Sequence, residues 1–229
     1  MAGSIHIGGQ EHFYMEPTNC MVIPCKEKDE YTVHLSAQGT SSFQGGIADF
    51  LGVPRHKVTV IVKRAGGGFG GKEGGVFGLM ATAAAQKFQR PVRLTMTSGQ
   101  DMLMSGKRHE IRVDYKASVN VRGKITDLEA KVYGGSGFSC DCSPILLQLT
   151  ILRLDGGYTL PNFSADGFAF KTNTASNCAM RGFGGPEASV AIEAIMDHIC
   201  HEFDFNPIGI RHACFGIFWF MASIFLYHL

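Results

Sequence analysis

The sequence lacks several features that would assign it to a common functional class. Its 21 Lys and Arg residues nearly balance its 20 Asp and Glu residues, and a formal net charge of +1 provides no broad basic surface for nucleic acid. No C-x-x-C pair occurs among its 7 cysteines, and the N-terminus has no signal-peptide pattern. We therefore expect reduced thiols in a cytoplasmic protein that does not bind nucleic acid.

No apolar run reaches the roughly 20 residues that a bilayer-spanning helix needs. The segment 213–227 is almost wholly apolar but shorter, and its composition differs from that of the chain before it. It could be a buried or abnormal terminus, a membrane tail or a partner-binding segment, and we favour the first. We accordingly predict one domain over residues 1–208 and a separate apolar tail over residues 209–229.

Hydrophobic periodicity switches repeatedly between strand and helix patterns along the chain. Strands are predicted over residues 31–36, 57–63, 91–96, 112–119, 125–133 and 163–171. Helices are predicted over residues 41–51, 76–88, 144–154 and 188–202. The strands at 112–119 and 125–133 form an expected antiparallel hairpin, followed by a long loop over 134–143. This mixture predicts an α+β fold, with mixed sheets and helices that follow glycine-rich loops.

The stretch VKRAGGGFGGKEGG, residues 62–75, matches parts of two phosphate-binding patterns. G-x-G-x-x-G would indicate a dinucleotide site, but the next predicted strand ends in Thr97 and Ser98, where an acidic residue should bind the ribose. G-x-x-x-x-G-K-[ST] would indicate a P-loop, but Glu73 replaces the hydroxyl residue that binds Mg²⁺. A turn that packs a helix closely against a strand is the third interpretation.

The Gly-Phe-Gly-Gly core of this loop, residues 68–71, recurs at residues 182–185. Two such loops that precede helices could converge on one ligand and offer backbone N–H groups to an anionic or oxygen-rich group. Arg181 would add a cation and Glu73 a carboxylate beside that group, and the two Phe rings could bound a flat slot.

Four motifs in series carry a family resemblance: GGQEHFYME at 8–16, GGGFGGKE at 66–73, DML-x-x-G-x-RH at 101–109 and KTN…RGFGGP at 171–186. Together they resemble the molybdenum hydroxylases, the xanthine dehydrogenase and aldehyde oxidase family, over roughly residues 7–208. The resemblance implies the family's first molybdopterin-binding domain, with a mixed α and β fold. It also implies molybdenum–molybdopterin as cofactor, with 2Fe-2S clusters and FAD elsewhere in the enzyme, and purines, N-heterocycles or aldehydes as substrates.

The resemblance also implies roles for individual residues. Those that line the cofactor are Gln38, Gly68, Phe69, Gly70 and Arg181. Of these, Gln38, Phe69 and Arg181 would contact the molybdenum centre, Gln38 through its amide and Phe69 through its backbone. Those that contact the substrate are Glu73, Leu149 and Phe183. Five of them also have a structural interpretation. Gln38 could be a surface strand residue, and Phe69 and Phe183 could be core aromatics. Arg181 could pair with a structural carboxylate, and Glu73 could be a helix N-terminal acid.

Two departures from the family pattern narrow the predicted activity. Leu149 stands where purine-oxidising members carry a substrate-anchoring arginine, and Arg153 lies one helical turn further on. The general-base glutamate of the family belongs to a later domain, as do its iron–sulfur and flavin groups, so we expect no catalytic residue in this chain and no activity from it alone. The alternatives are a non-catalytic remnant that binds a full-length relative or a membrane through its tail, and a nucleotide-binding oxidoreductase that uses the Gly66 loop.

Overall fold

The computed structural model describes residues 1–215, which divide into two compact units. Unit I comprises residues 1–10, 109–174 and 182–215, and unit II comprises residues 11–108 and 175–181. Each unit has its own four-stranded mixed sheet and its own hydrophobic core. The α+β fold predicted from the sequence is confirmed.

Unit II is built on a sheet in the order β4-β3-β2-β5. Its strands are β2 (Asn19–Cys25), β3 (Glu30–Leu35), β4 (Val58–Ile61) and β5 (Val92–Thr95). The β3–β4 pair is parallel, whereas β2 pairs antiparallel with β3 and β5. Sequence periodicity identified three of these strands but missed β2, whose buried residues Cys20 and Val22 lie at alternate positions.

The helices of unit II are α1 (Thr40–Leu51), α2 (Phe77–Phe88) and α3 (Ser98–Met104). Phe43 and Ile47 of α1 join Ala81 and Ala85 of α2 in the core below the sheet. The small side chains of α2 permit close packing, as predicted. Helix α3 was not predicted, although the Thr97–Gln100 capping box at its start is a sequence-level signal.

Unit I is built on a sheet in the order β1-β6-β7-β8. Its strands are β1 (Ala2–Ile7), β6 (Ile111–Val119), β7 (Ile125–Gly137) and β8 (Asn162–Lys171). The β6–β7 pair is the predicted antiparallel hairpin, whereas β8 pairs parallel with β7. Helices α4 (Ser143–Ile151), α5 (Gly185–Phe203) and α6 (Pro207–Cys214) complete the unit.

Strand β7 is longer than the sequence suggested. The loop predicted over residues 134–143 is wrong for its first part, because Gly134 and Gly135 pair in register with β8. A Cβ at Gly134 would lie 3.0 Å from the Leu147 side chain, and one at Gly135 would lie 2.9 Å from the Glu110 carboxylate. The glycines therefore permit close packing of strand β7 against the Leu147 side chain of α4 and the Glu110 side chain, rather than marking a loop.

The structure describes the first part of the predicted tail, up to residue 215. Helix α6 spans Pro207–Cys214, so the boundary predicted at residue 208 falls inside a helix. Ile210 and Cys214 of α6 are buried in the unit I core. The rest of the apolar segment, residues 216–229, lies outside the described residues. None of the helices within residues 1–215 combines the length and apolar character that crossing a bilayer requires.

Candidate functional site

The glycine loop of unit II, residues 66–72, forms a tight turn. The Gly71 N–H donates to the Gly68 carbonyl over 2.9 Å. Phe69 and Gly70 both have left-handed backbone conformations, with φ of 54° and 105°. Helix α2 begins only at Phe77, so the turn does not lead directly into a helix N-terminus as the sequence pattern suggested. Any ligand of this loop would therefore contact the turn itself.

Gln38 follows strand β3 and holds the glycine loop with its side chain. Its Oε1 accepts hydrogen bonds from the N–H groups of Gly70 at 2.8 Å and Lys72 at 3.3 Å. Its backbone N–H donates to the Lys72 carbonyl over 2.8 Å. Two N–H donors at one end of the amide require the oxygen there, which places Nε2 at the other end. Within residues 1–215, no group accepts a hydrogen bond from Gln38 Nε2.

Arg181 reaches the same turn through its backbone. Its N–H donates to the Phe69 carbonyl over 3.0 Å, and its own carbonyl accepts from Arg108 Nη2 at 2.7 Å. Close approach of the two segments requires Gly70, because a Cβ there would lie 2.1 Å from the Ala179 carbonyl oxygen. The Arg181 residue is exposed, and its guanidinium forms no hydrogen bond or ion pair within residues 1–215.

The remaining predicted residues of unit II lie on the same loop. Gly68 is buried, and a Cβ there would lie 2.4 Å from Gln38 Oε1. The Phe69 ring is 45% exposed. Glu73 is exposed at the end of the turn. The Phe69 N–H has no acceptor among residues 1–215. The structure therefore brings Gln38, the Gly68–Gly70 turn and Arg181 into one hydrogen-bonded arrangement.

Leu149 and Phe183 belong to unit I. Leu149 is half-buried in α4, and Phe183 is half-buried beside the core beneath the sheet. Phe183 lies in a second turn, in which the Gly185 N–H donates to the Gly182 carbonyl over 3.0 Å. Phe183 has a φ of 34° and Gly184 one of 85°, so the two central residues are left-handed in both turns, whereas the first glycine has a positive φ in the second turn only, at Gly182. That the two turns converge on one ligand stays a prediction.

Arg153 stabilises this second turn. Its Nη1 donates to the carbonyls of Gly182 at 3.2 Å and Phe183 at 3.1 Å. This guanidinium therefore holds the backbone around Phe183, a role that sequence spacing did not suggest.

Sequence reasoning also missed the side chains beneath the glycine loop. The Lys72 side chain is only 1% exposed, and its Nζ donates to the Glu16 carbonyl at 2.6 Å and to Ser36 Oγ at 2.7 Å. Burial lowers the pKa of Lys72, although the neighbouring charges of Glu16 and Asp101 oppose that shift. A P-loop lysine must reach bound phosphate, and this buried ammonium does not.

Glu16 is the acceptor at the centre of that cluster. Burial would raise the pKa of its carboxyl, but hydrogen bonds from the Gly66 N–H, Ser36 and Asn19, together with the Lys72 charge, lower it to about 2. The signal that could have identified this residue is its place in the GGQEHFYME motif, which the resemblance did not assign to any role.

The unit II arrangement is suited to an oxygen-rich, anionic ligand. Gln38 Nε2, the Phe69 N–H and the Arg181 guanidinium are all hydrogen-bond donors without acceptors in the described chain, and Arg181 adds a positive charge. Residues 1–215 contain no group of three or more His, Cys, Asp or Glu side chains that could hold a metal ion directly. These residues fit a cofactor that carries its own metal ligands and is held by hydrogen bonds.

Comparison with known proteins agrees with this chemistry. A family model described as a molybdopterin cofactor-binding domain matches residues 1–215. The chain is 40% identical over 213 residues to a xanthine dehydrogenase/oxidase of Gallus gallus, and 37% identical over 213 residues to an aldehyde oxidase of Homo sapiens. Each match covers 92% of this chain but 16% of the relative, so the chain spans about a sixth of the length of these relatives.

Solved structures share the fold. An aldehyde oxidoreductase from Desulfovibrio gigas superposes with a TM-score of 0.84 at 24% identity, over 94% of this chain and 24% of that one. A quinoline 2-oxidoreductase from Pseudomonas putida 86 superposes with a TM-score of 0.83 at 21% identity, over 94% of this chain and 28% of that one.

Proposed function

Because the chain belongs to the molybdopterin cofactor-binding domain family, we propose that it supplies part of the molybdenum site of an oxidoreductase of the xanthine dehydrogenase/aldehyde oxidase type. The observation that carries this proposal is the set of unused donors on Gln38, Phe69 and Arg181, which one turn and its hydrogen bonds bring together. In such an enzyme the bound cofactor supplies the two-electron oxidation of a carbon that gains oxygen from water.

Each donor has a distinct part in this proposal. Gln38 is held by its Oε1, so its Nε2 would donate to an oxygen ligand of the metal. The Phe69 N–H would donate to the same anionic group, because its position in the turn leaves it outside the turn's own hydrogen bond. The Arg181 guanidinium would neutralise negative charge on the cofactor.

The substrate is proposed to be a purine, an N-heterocycle or an aldehyde. Glu73 would orient the substrate through its carboxylate, and Phe183 would stack on a flat ring. Leu149 offers an apolar contact where a purine oxidiser would have an arginine, and the Arg153 guanidinium is already bonded to the second turn. This arrangement supports aldehydes and neutral heterocycles at least as well as anionic purines.

Cofactor retention tests the proposal. The chain is expressed in a host that makes molybdopterin, and the purified protein is assayed for molybdenum by mass spectrometry and for pterin by fluorescence. We expect both in wild type. We also expect Arg181→Ala to lower retention by roughly 10- to 100-fold, since it removes charge-assisted hydrogen bonds. Arg90→Ala, which removes another exposed arginine of unit II, is the matched control.

Two outcomes would contradict the assignment. One is folded wild-type protein that holds neither molybdenum nor pterin, and the other is equal retention in the two arginine variants. In the same preparations we expect no oxidation of aldehydes or purines with an artificial electron acceptor, because the chain offers no residue to which the family resemblance assigns the general-base role. Turnover by the chain alone would show that this expectation of inactivity is wrong.

Partner binding is a second candidate, favoured by an exposed apolar surface on unit II. Phe13 is 75% exposed, Met15 94% and Leu103 84%, and the Tyr14 hydroxyl donates to Asp101 over 3.0 Å, which brings their two segments together. An apolar surface formed by such exposed side chains would be typical of an interaction site. A full-length relative that co-purifies with wild type but not with Phe13→Ser would support this candidate, and unchanged recovery would exclude this surface.

A further inference from the structure

The buried ammonium of Lys72 is fully committed to groups beneath the glycine loop. Its Nζ lies 2.6 Å from the Glu16 carbonyl oxygen, 2.7 Å from Ser36 Oγ and 3.4 Å from Glu16 Oε2. It also lies 4.3 Å from the centre of the Tyr14 ring. A buried cation is costly unless it is paired and hydrogen-bonded, and these partners satisfy its three N–H donors. Lys72 therefore has no donor left for a ligand.

The Glu16 carboxylate connects both ends of the loop. Its Oε2 accepts from the Gly66 N–H at 2.6 Å at the loop's start and from Lys72 Nζ at its end. The Glu16 N–H in turn donates to the Gly66 carbonyl over 3.2 Å. A Cβ at Gly66 would lie 2.4 Å from Glu16 Cβ, so only glycine permits this approach. The Glu16 side chain therefore joins the first and last residues of the loop, Gly66 and Lys72.

The contacts of Glu16 and Lys72 also connect to Gln38, one of the donors of the candidate site. Ser36, which donates to Glu16 Oε2 over 2.7 Å, lies two residues before Gln38 on the same segment. Lys72 is bonded to Gln38 through both its backbone N–H and its carbonyl. The conformation of Lys72 therefore determines where Gln38 Oε1 is held, and with it the direction of Nε2.

We propose that Glu16 and Lys72 form a positioning latch, an ion pair between a partly exposed carboxylate and a buried ammonium, that holds the glycine loop so that Gln38 and Phe69 present their unused donors to one ligand. This inference depends on the proposed function only for the identity of that ligand, the molybdenum cofactor. Neither residue touches the ligand, so both are positioning residues. Loss of the Glu16 charge leaves the Lys72 ammonium buried without its counter-ion, and loss of Lys72 removes the bonds that tie the end of the loop to Glu16 and Ser36. Either change loosens the loop while the sheet below it stays folded.

Amide hydrogen exchange on the cofactor-free full chain tests the latch directly. Glu16→Gln keeps the size of the side chain and removes its charge, and Lys72→Met keeps the stem and removes the ammonium. We expect each change to accelerate exchange in the peptide that covers residues 66–72 by roughly tenfold or more. Glu27→Gln, at an exposed site in the β2–β3 turn, is the matched control and should leave that peptide unchanged.

The double variant separates a pair from two independent residues. In Glu16→Gln/Lys72→Met no buried charge lacks its partner, so we expect less acceleration than the product of the two single effects. If the two residues acted independently, the two factors by which they accelerate exchange would multiply. Multiplicative effects, or an unchanged loop in folded single variants, would overturn the latch. If Glu16→Gln does not fold, Lys72→Met and Ser36→Ala, which removes the bridging hydroxyl, are judged by the same criterion.

Cofactor retention decides whether the latch serves the site. We expect Glu16→Gln to lose molybdenum and pterin in parallel with its faster loop exchange, while Glu27→Gln retains them. Faster exchange with full retention would overturn the positioning role. Wild-type protein without cofactor would overturn the proposed function instead, and the latch is then judged by the exchange measurements, which need no cofactor.

Discussion

Replacing Gly70 with alanine is expected to separate the two segments that carry Phe69 and Arg181. The added Cβ would lie 2.1 Å from the Ala179 carbonyl oxygen and 2.5 Å from its carbon. Non-bonded carbon atoms pack best at about 3.5–4.0 Å, so these backbones would have to move apart by more than an ångström, on the order of 1.5 Å. The hydrogen bond from the Arg181 N–H to the Phe69 carbonyl, 3.0 Å long, spans the same gap.

Two energetic costs determine how much Gly70→Ala destabilises unit II. Gly70 has a φ of 105°, and a left-handed conformation costs an alanine about 1–2 kcal/mol. Forcing packed groups apart costs roughly a further 1–3 kcal/mol. We therefore expect the free energy of unfolding of unit II to fall by about 2–5 kcal/mol.

Gly74→Ala is the matched control, because a Cβ at Gly74 would meet nothing within 4 Å and its φ is not in the left-handed region. Urea unfolding followed by far-UV circular dichroism, with amide exchange in unit II peptides as a second readout, compares the two variants. Gly74→Ala should stay within about 0.5 kcal/mol of wild type. Equal stability of the two variants would refute the inferred close approach between the Gly70 turn and the Ala179 segment.

Two further predictions concern unit I. Burial lowers the pKa of His109 to about 4 from its ordinary 6.5, so the unfolded chain binds a proton before the folded chain does as pH falls through that window. We expect this group to lower the free energy of unfolding, measured in urea, by up to about 3 kcal/mol between pH 7 and pH 4. His109→Gln should remove this part of the pH dependence. A pH profile identical in both proteins would contradict it. Arg153→Gln should accelerate amide exchange at Gly184 and Gly185. The free energy of unfolding should change by less than about 1 kcal/mol, because the hydrogen bonds that are lost are exposed to solvent. Unchanged exchange at these two amides would show that Arg153 does not stabilise the second turn.

Most regular elements could be predicted from local sequence. The β6–β7 hairpin follows from alternating burial along residues 111–119 and a turn at Gly123, whose φ is 77°. Helix α5 follows from Pro186 at its first turn and apolar residues at helical spacing. Strand β2 escaped prediction although its buried residues alternate. Its pairing with β5, like that of the end of β7 with β8, joins strands that lie far apart in the chain.

The site residues themselves stay a prediction, but part of their arrangement follows from the sequence motifs. Motif order pointed to Gln38, Phe69 and Arg181, and the structure joins them through hydrogen bonds within unit II. Glu16 received no role, because its importance comes from contacts with residues up to 56 positions away. The placement of Leu149 and Phe183 against the unit II donors remains a prediction.

The sequence by itself determined the family and the two repeated glycine turns, because glycine permits backbone conformations that other residues rarely adopt. The left-handed conformation of Phe69 and Phe183 was seen only in the structure. Only the tertiary structure decided the state of Lys72. In sequence it follows a run of glycines and precedes Glu73, which suggests an exposed loop cation. In the fold, Glu16 and Ser36 converge on it from distant segments and bury its ammonium. Burial of a charge depends on which partners the folded chain brings to it, and no local pattern records that.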